Sequence, residues 1–176
     1  MKIAKSFKEL EKQIKEDLQK AVVNTLQNEV AEIVKDVIQH HIQTDVYDVY
    51  EPEHYERRGP DRGRGKGQGL GDRDNLVEHI EDDQTLVVNQ VATYNPYKNY
   101  SPVYPHPGSN SPNLVKLIVD GYSGHNSNSA EYAKPRPFME NANSSLSKGG
   151  RNYADLDEAF ETGLARHGVY KKNKAR

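Results

Sequence analysis

Residues 6–42 read SFKELEKQIKEDLQKAVVNTLQNEVAEIVKDVIQHHI. Apolar side chains return every three or four residues, at Phe7, Leu10, Ile14, Leu18, Val22, Leu26, Val30, Ile33, Val37 and Ile38, while Lys and Glu fill the positions between. That period gathers the apolar residues on one side of an α-helix, so the stretch predicts an amphipathic helix running to about Ile42. Ser6 and Glu9 form a capping box, in which the hydroxyl accepts from an early amide and the carboxylate reaches back, placing the start at Phe7. At about 1.5 Å per residue such a helix is roughly 50 Å long, so in a chain of this size it must bend or project. The stripe drifts off a strict seven-residue repeat, which argues against a regular coiled coil.

Outward from the helix the texture changes. Val46-Tyr47-Asp48-Val49-Tyr50 is β-branched and aromatic and closes on Pro52, the composition of a strand. Leu76 to Ile80 and Thr85 to Val91 are two further strands, and Glu81-Asp82-Asp83-Gln84 between them is turn chemistry. Shorter helices come next: Leu114 to Tyr122, ended by Gly121 and Gly124; a second that begins at Pro137 and carries Phe138, Met139, Ala142 and Leu146; and a third with Leu156, Ala159, Phe160 and Leu164, stopped near Gly168. The fold class is α+β: a long N-terminal amphipathic helix packed on a small, mostly antiparallel sheet, with two or three shorter helices and long loops. The organisation is one domain over residues 1–170 and a basic flexible tail over 171–176.

Two of the connecting segments are long. Residues 57–74 contain six Gly between Gly59 and Gly71, together with Arg57, Arg58, Arg62 and Arg64, and cannot build a core. Residues 94–113 are rich in Tyr and Pro and nearly free of aliphatic side chains. Ile, Leu, Val and Phe make up only about a fifth of the chain, near the level below which chains struggle to fold alone, while a net charge of -2 argues against plain disorder. A modest core with extended loops is the expectation, the loops gaining order from neighbouring molecules.

Composition removes several function classes. The chain has no Cys, so disulfides, thiolate metal sites and cysteine nucleophiles are excluded. No apolar run is long enough to span a bilayer and no basic-then-apolar leader opens the chain, so a soluble protein of the cell interior is expected. Around Lys66 the Gly-rich segment fails the phosphate-binding spacing, because Gly67 stands where Ser or Thr is needed. Its Arg residues could neutralise nucleic-acid phosphates, but Glu56, Asp61, Asp72 and Asp74 offset them, and the whole chain is slightly acidic. His40 and His41, with Asp45 and His54 nearby, are the one cluster of metal-type ligands. Adjacent helical residues diverge by about 100°, so the His pair reads as charge near a helix C-terminus and not as a chelate. No nucleophile, base and orienting group recur at a catalytic spacing, so no catalytic, cofactor or metal residue is assigned. The bias that remains is 11 Tyr against 3 Phe and no Trp. Tyr buries a ring and keeps a polar tip, which suits surfaces covered only in an assembly, and Tyr97, Tyr100 and Tyr104 in the Pro-rich loop are the candidates.

Taken in order, four motifs carry a resemblance. They are Ser6-Phe7-Lys8-Glu9-Leu10; Val46 to Tyr50 leading to Tyr55-Glu56-Arg57-Arg58; Gly69-Leu70 before Asp74-Asn75-Leu76; and Arg136-Pro137-Phe138-Met139. Together they resemble the bacteriophage neck proteins, the tail-completion or head–tail joining proteins of long-tailed double-stranded DNA phages, over roughly Phe7 to Val169. The resemblance implies an α+β virion protein without enzymatic activity or cofactor, made in the bacterial cytoplasm and placed in the neck. It implies a ring of copies, a hexamer, that completes the tail and joins it to the DNA-filled head. Partners would be head-closure, tail-terminator or tail-tube proteins, with packaged DNA passing close by and no membrane. An adjacent neck level, tail terminator or head closure, is the alternative, and a small nucleic-acid-binding protein using the Arg/Gly loop and basic tail is the other. Arg57, Arg58, Arg62, Arg64, Tyr97, Tyr100 and Tyr104 are the candidate interface residues. By analogy with the family's RPF segment, Arg136, Pro137 and Phe138 would anchor the late helix.

Overall fold

The structure is a computed structural model and describes residues 6–49, 70–92, 114–121 and 134–169. It is α+β, with a long N-terminal helix, a two-stranded antiparallel sheet and three shorter helices among the described residues. Helix α1 (Phe7–Thr25) starts where the capping box requires, the Ser6 hydroxyl accepting from the Glu9 amide at 3.2 Å. The helix does not stop at Ile42. A π-helical turn (Leu26–Val30) leads into α2 (Ala31–His41), and a second π-helical turn (Ile42–Tyr47) extends it further.

The π turns have a cause in the sequence. From Leu10 to Val30 the apolar residues are spaced by four, and in an α-helix of 3.6 residues per turn a spacing of four winds slowly around the axis. One wider turn takes up an extra residue and resets the phase. Within the turn the Ala31 N–H donates to the Leu26 carbonyl, five residues back, and the Asn28 side chain donates to the Asn24 carbonyl at 2.7 Å.

The second π turn corrects the expected strand at Val46 to Tyr50. Through Tyr47 these residues are helical, because Ile38, Ile42 and Val46 extend the buried stripe at steps of four and burial outweighs β propensity; Tyr50 lies outside the described residues. Among the described residues the sheet therefore has two strands, β1 (Leu76–Glu81) and β2 (Thr85–Gln90). Asp82 and Asp83 make the turn at φ of 53° and 55°, a left-handed backbone that short acidic side chains tolerate. Leu76, Glu78 and Ile80 on β1 and Leu86, Val88 and Gln90 on β2 turn to the covered face, and Val77, His79, Glu81 and Asn89 are exposed.

Helix α3 (Leu114–Asp120) gives way to Gly121 at positive φ, α4 (Phe138–Leu146) starts directly after Pro137, and α5 (Tyr153–Arg166) ends on Gly168 at φ 73°, where the Val169 amide turns back to the Leu164 carbonyl. No described helix is long and apolar enough to cross a membrane.

The chain divides into two compact units built from separate segments. In the first, α5 lies on α1 and the first π turn. Gly163 sets the closeness of that contact: a Cβ there would stand 2.3 Å from Cγ2 and 2.7 Å from Oγ1 of Thr25, whose side chain is fully buried. One turn on, Arg166 pairs with Glu29 at 2.7 Å. The β-hairpin adds two more links. The buried Lys35 ammonium sits 2.6 Å from Glu78 and 3.4 Å from Glu32, so its charge is matched where water is scarce, and Gln19 donates to Asp83. The second unit is centred on Phe138 and Ile42, both fully buried, each contributing roughly 1.5–3 kcal/mol of apolar burial.

Substitution Gly163→Ala should destabilise the chain by about 1–3 kcal/mol, because the short, buried Thr25 side chain has nowhere to move. Thermal denaturation of the purified variant measures this, and an unchanged melting temperature would show that the two helices do not depend on the close approach.

Candidate functional site

Arg57, Arg58, Arg62, Arg64, Tyr97, Tyr100 and Tyr104 lie outside the described residues, as do His54 and the tail over 171–176. The described residues include the place from which their two segments depart. The Gly/Arg segment ends at Leu70 and the Tyr/Pro segment begins after Ala92, and these two points are held side by side in the second unit. Gln90 makes the link: its side-chain amide donates to the Leu70 carbonyl, and its amide oxygen accepts from the Ala92 N–H at 2.7 Å. The Val91 N–H donates to the Asn75 carbonyl at 2.8 Å.

Polar groups from the long helix hold the same place. Gln39 on α2 donates to the Gly71 carbonyl at 3.0 Å and accepts from Arg73 Nη1 at 2.8 Å, and the Tyr47 hydroxyl accepts from the Gly71 N–H at 2.9 Å. Asp72 accepts from the Asp74 N–H at 3.1 Å, closing a short 3₁₀ turn over Arg73–Asn75 within the segment expected as loop. Nothing in the sequence singles out Gln39, Tyr47 and Gln90 for this role. They join positions 20 to 34 residues apart, and no local pattern marks such bonds.

Arg136, Pro137 and Phe138 occupy the start of α4. The Arg136 N–H donates to the Ile118 carbonyl of α3 at 3.0 Å, and its guanidinium reaches the Val46 carbonyl at 3.5 Å, the outer limit of a hydrogen bond. The Pro137 carbonyl accepts from the Asn141 N–H at 3.0 Å as the first helical bond, and Phe138 is fully buried.

Beside them His41 does not stand at the helix end expected from the sequence but inside a continuing helix, where Asp45 is its neighbour one turn on. Asp45 accepts from His41 Nδ1 at 2.9 Å, from Asn141 Nδ2 at 2.8 Å and from the Thr44 hydroxyl at 2.8 Å. Burial pushes the Asp45 pKa up, but the donors Asn141, Thr44 and His41 together with the His41 charge outweigh it and hold the carboxyl below its ordinary value. The group joins α4 to the second π turn. His40 meets His41 edge to face with ring centres 5.5 Å apart, and no cluster of three His, Asp or Glu suited to a metal ion occurs among the described residues.

Because its folded pKa is depressed, Asp45 contributes stability that is complete above the ordinary Asp value of about 3.9 and is lost as pH falls through the lower folded value. Asp45→Asn should therefore melt lower than wild type at neutral pH, with the gap narrowing below about pH 4. Melting curves across that range test the linkage; a gap that is constant with pH would refute it.

No curated protein and no solved structure matches the chain. The model of the YomN family matches residues 6–166. The chain belongs to the YomN family, whose phage-derived, SPbeta-type name suggests a phage-associated protein.

Proposed function

We propose that this chain is a structural virion protein of the phage neck, forming a ring, a hexamer, that completes the tail and joins it to the DNA-filled head. Phage association comes from the YomN family. The step from there to a subunit that works through surfaces rests on one observation. The Gly/Arg segment and the Tyr/Pro segment depart from a common base that Gln90 and the long helix hold together. A closed ring needs two different, complementary surfaces on each copy, and two long segments of opposite character supply candidates for them. Arg57, Arg58, Arg62 and Arg64 offer charge and Tyr97, Tyr100 and Tyr104 offer rings, the residue types that dominate interface energetics. On this reading the chain has no catalytic step and no cofactor, and its neighbours are head-closure, tail-terminator or tail-tube proteins.

Phage lacking this protein should accumulate DNA-filled heads and finished tails that do not join stably. Replacing Tyr97, Tyr100 and Tyr104 together by Ser should give the same particles from a chain that still folds. Electron microscopy of lysates decides: complete, infectious particles from the deletion would remove the neck assignment, and complete particles from the triple variant would move the contact away from the Tyr/Pro segment.

A further inference from the structure

The first three turns of α1 carry an apolar stripe that the single chain leaves open to solvent. Phe7 is 84% exposed, Leu10 43%, Ile14 58% and Leu18 43%. On a helical wheel these four fall on the same side as Ala21 and Thr25, the buried residues of α1, so the stripe that meets α5 continues beyond the part that α5 covers. The four side chains present roughly 400–500 Å² of apolar surface, about the size at which an exposed patch marks a binding surface.

We propose that a second copy of this chain covers the stripe, the two α1 segments packing antiparallel about a two-fold axis. The spacing of the residues selects this occupant. Phe7, Leu10, Ile14 and Leu18 are separated by three, four and four residues, and reversing the chain direction lays the set on itself within one residue. Phe7 then faces Leu18 of the second copy and Leu10 faces Ile14 of the second copy, each chain supplying both sides of the seam. Charge agrees. Glu11 and Lys15 lie along one edge of the stripe, 2.8 Å apart within the chain. Antiparallel helices set like edges together, so Glu11 of each copy lies beside Lys15 of the other. A parallel pair would bring the opposite edge, with Gln13 and Asp17, against Glu11, offer it no cation, and align the helix dipoles. The stripe supplies about half of the roughly 800 Å² that a stable interface takes from each partner, and the stems of the flanking Lys and Glu side chains supply more. The candidate residues of the cyclic contact are not part of α1, so the pairing goes beyond the neck reading and is tested without it.

The absence of cysteine makes the geometry testable in the full-length chain. Two variants, Phe7→Cys and Leu18→Cys, one with a mass tag, are purified, mixed and oxidised. The mixture should form the disulfide between the two variants, whereas Phe7→Cys alone should not crosslink. In the antiparallel pair its two copies stand about 16 Å apart along the axis at 1.5 Å per residue, beyond disulfide reach. In analytical ultracentrifugation Ile14→Glu should halve the mass of the wild-type assembly with an unchanged circular dichroism spectrum, since Ile14 is exposed in the single chain. A wild-type chain that sediments alone, a mass that Ile14→Glu leaves unchanged, or a Phe7→Cys chain that crosslinks to itself would each overturn the proposal.

Discussion

The helix from Phe7 to Tyr47 has more residues per apolar repeat than an α-helix can keep on one face, and the rest of the structure depends on how it absorbs them. Two π turns do so. Within the first unit the wider turn lies between Thr25, pressed on Gly163, and Ala31, which is fully buried, and it sets the angle between the helix faces before and after it. Glu29, inside the turn, reaches Arg166 one turn beyond Gly163. The match between α5 and the long helix is therefore a match to a helix with one residue more than regular geometry holds. That has a local cost: Thr25 Oγ1 and Glu29 Oε2 are buried without a hydrogen-bond partner among the described residues.

In the second unit the helix is a source of side-chain anchors. Gln39, Tyr47 and Asp45 leave it at α2 and the second π turn. The first two hold the backbone at Gly71 where the Gly/Arg segment ends, and Asp45 holds α4 through Asn141. Chain that cannot form a core of its own is thereby fixed at its base to the most regular element. This is how a protein with few large aliphatic residues can anchor long polar segments.

Much of this is legible in the residues. Ser6 and Glu9 place the helix start, the drift of the stripe off a seven-residue repeat is the trace of the π turns, and Asp82-Asp83 places the hairpin turn. Pro137, Gly121 and Gly168 mark helix ends because their backbone preferences act locally. Local pattern misleads at Val46 to Tyr50, where a β-branched, aromatic run is outweighed by Ile38, Ile42 and Val46 keeping the helical step. The pairing of His41 with Asp45 is recoverable by carrying the helix one turn further, since they are four apart. Those of Gln90 with Leu70 and of Gly163 with Thr25 are not, because contact between residues distant in sequence leaves no periodic mark.

The first π turn holds a residue that the packing needs, and deleting the exposed Gln27 tests this most directly, because the deletion removes no buried group and changes only helix phase. Closing the turn to α geometry would rotate α1 by about 100° against α2, so that α5 could keep Gly163 on Thr25 or Arg166 on Glu29, but not both. The deleted chain should melt well below wild type in thermal denaturation monitored by circular dichroism. A deletion variant that melts at or above the wild-type temperature would show that the turn is a strain the fold tolerates, and would contradict a packing role for the extra residue.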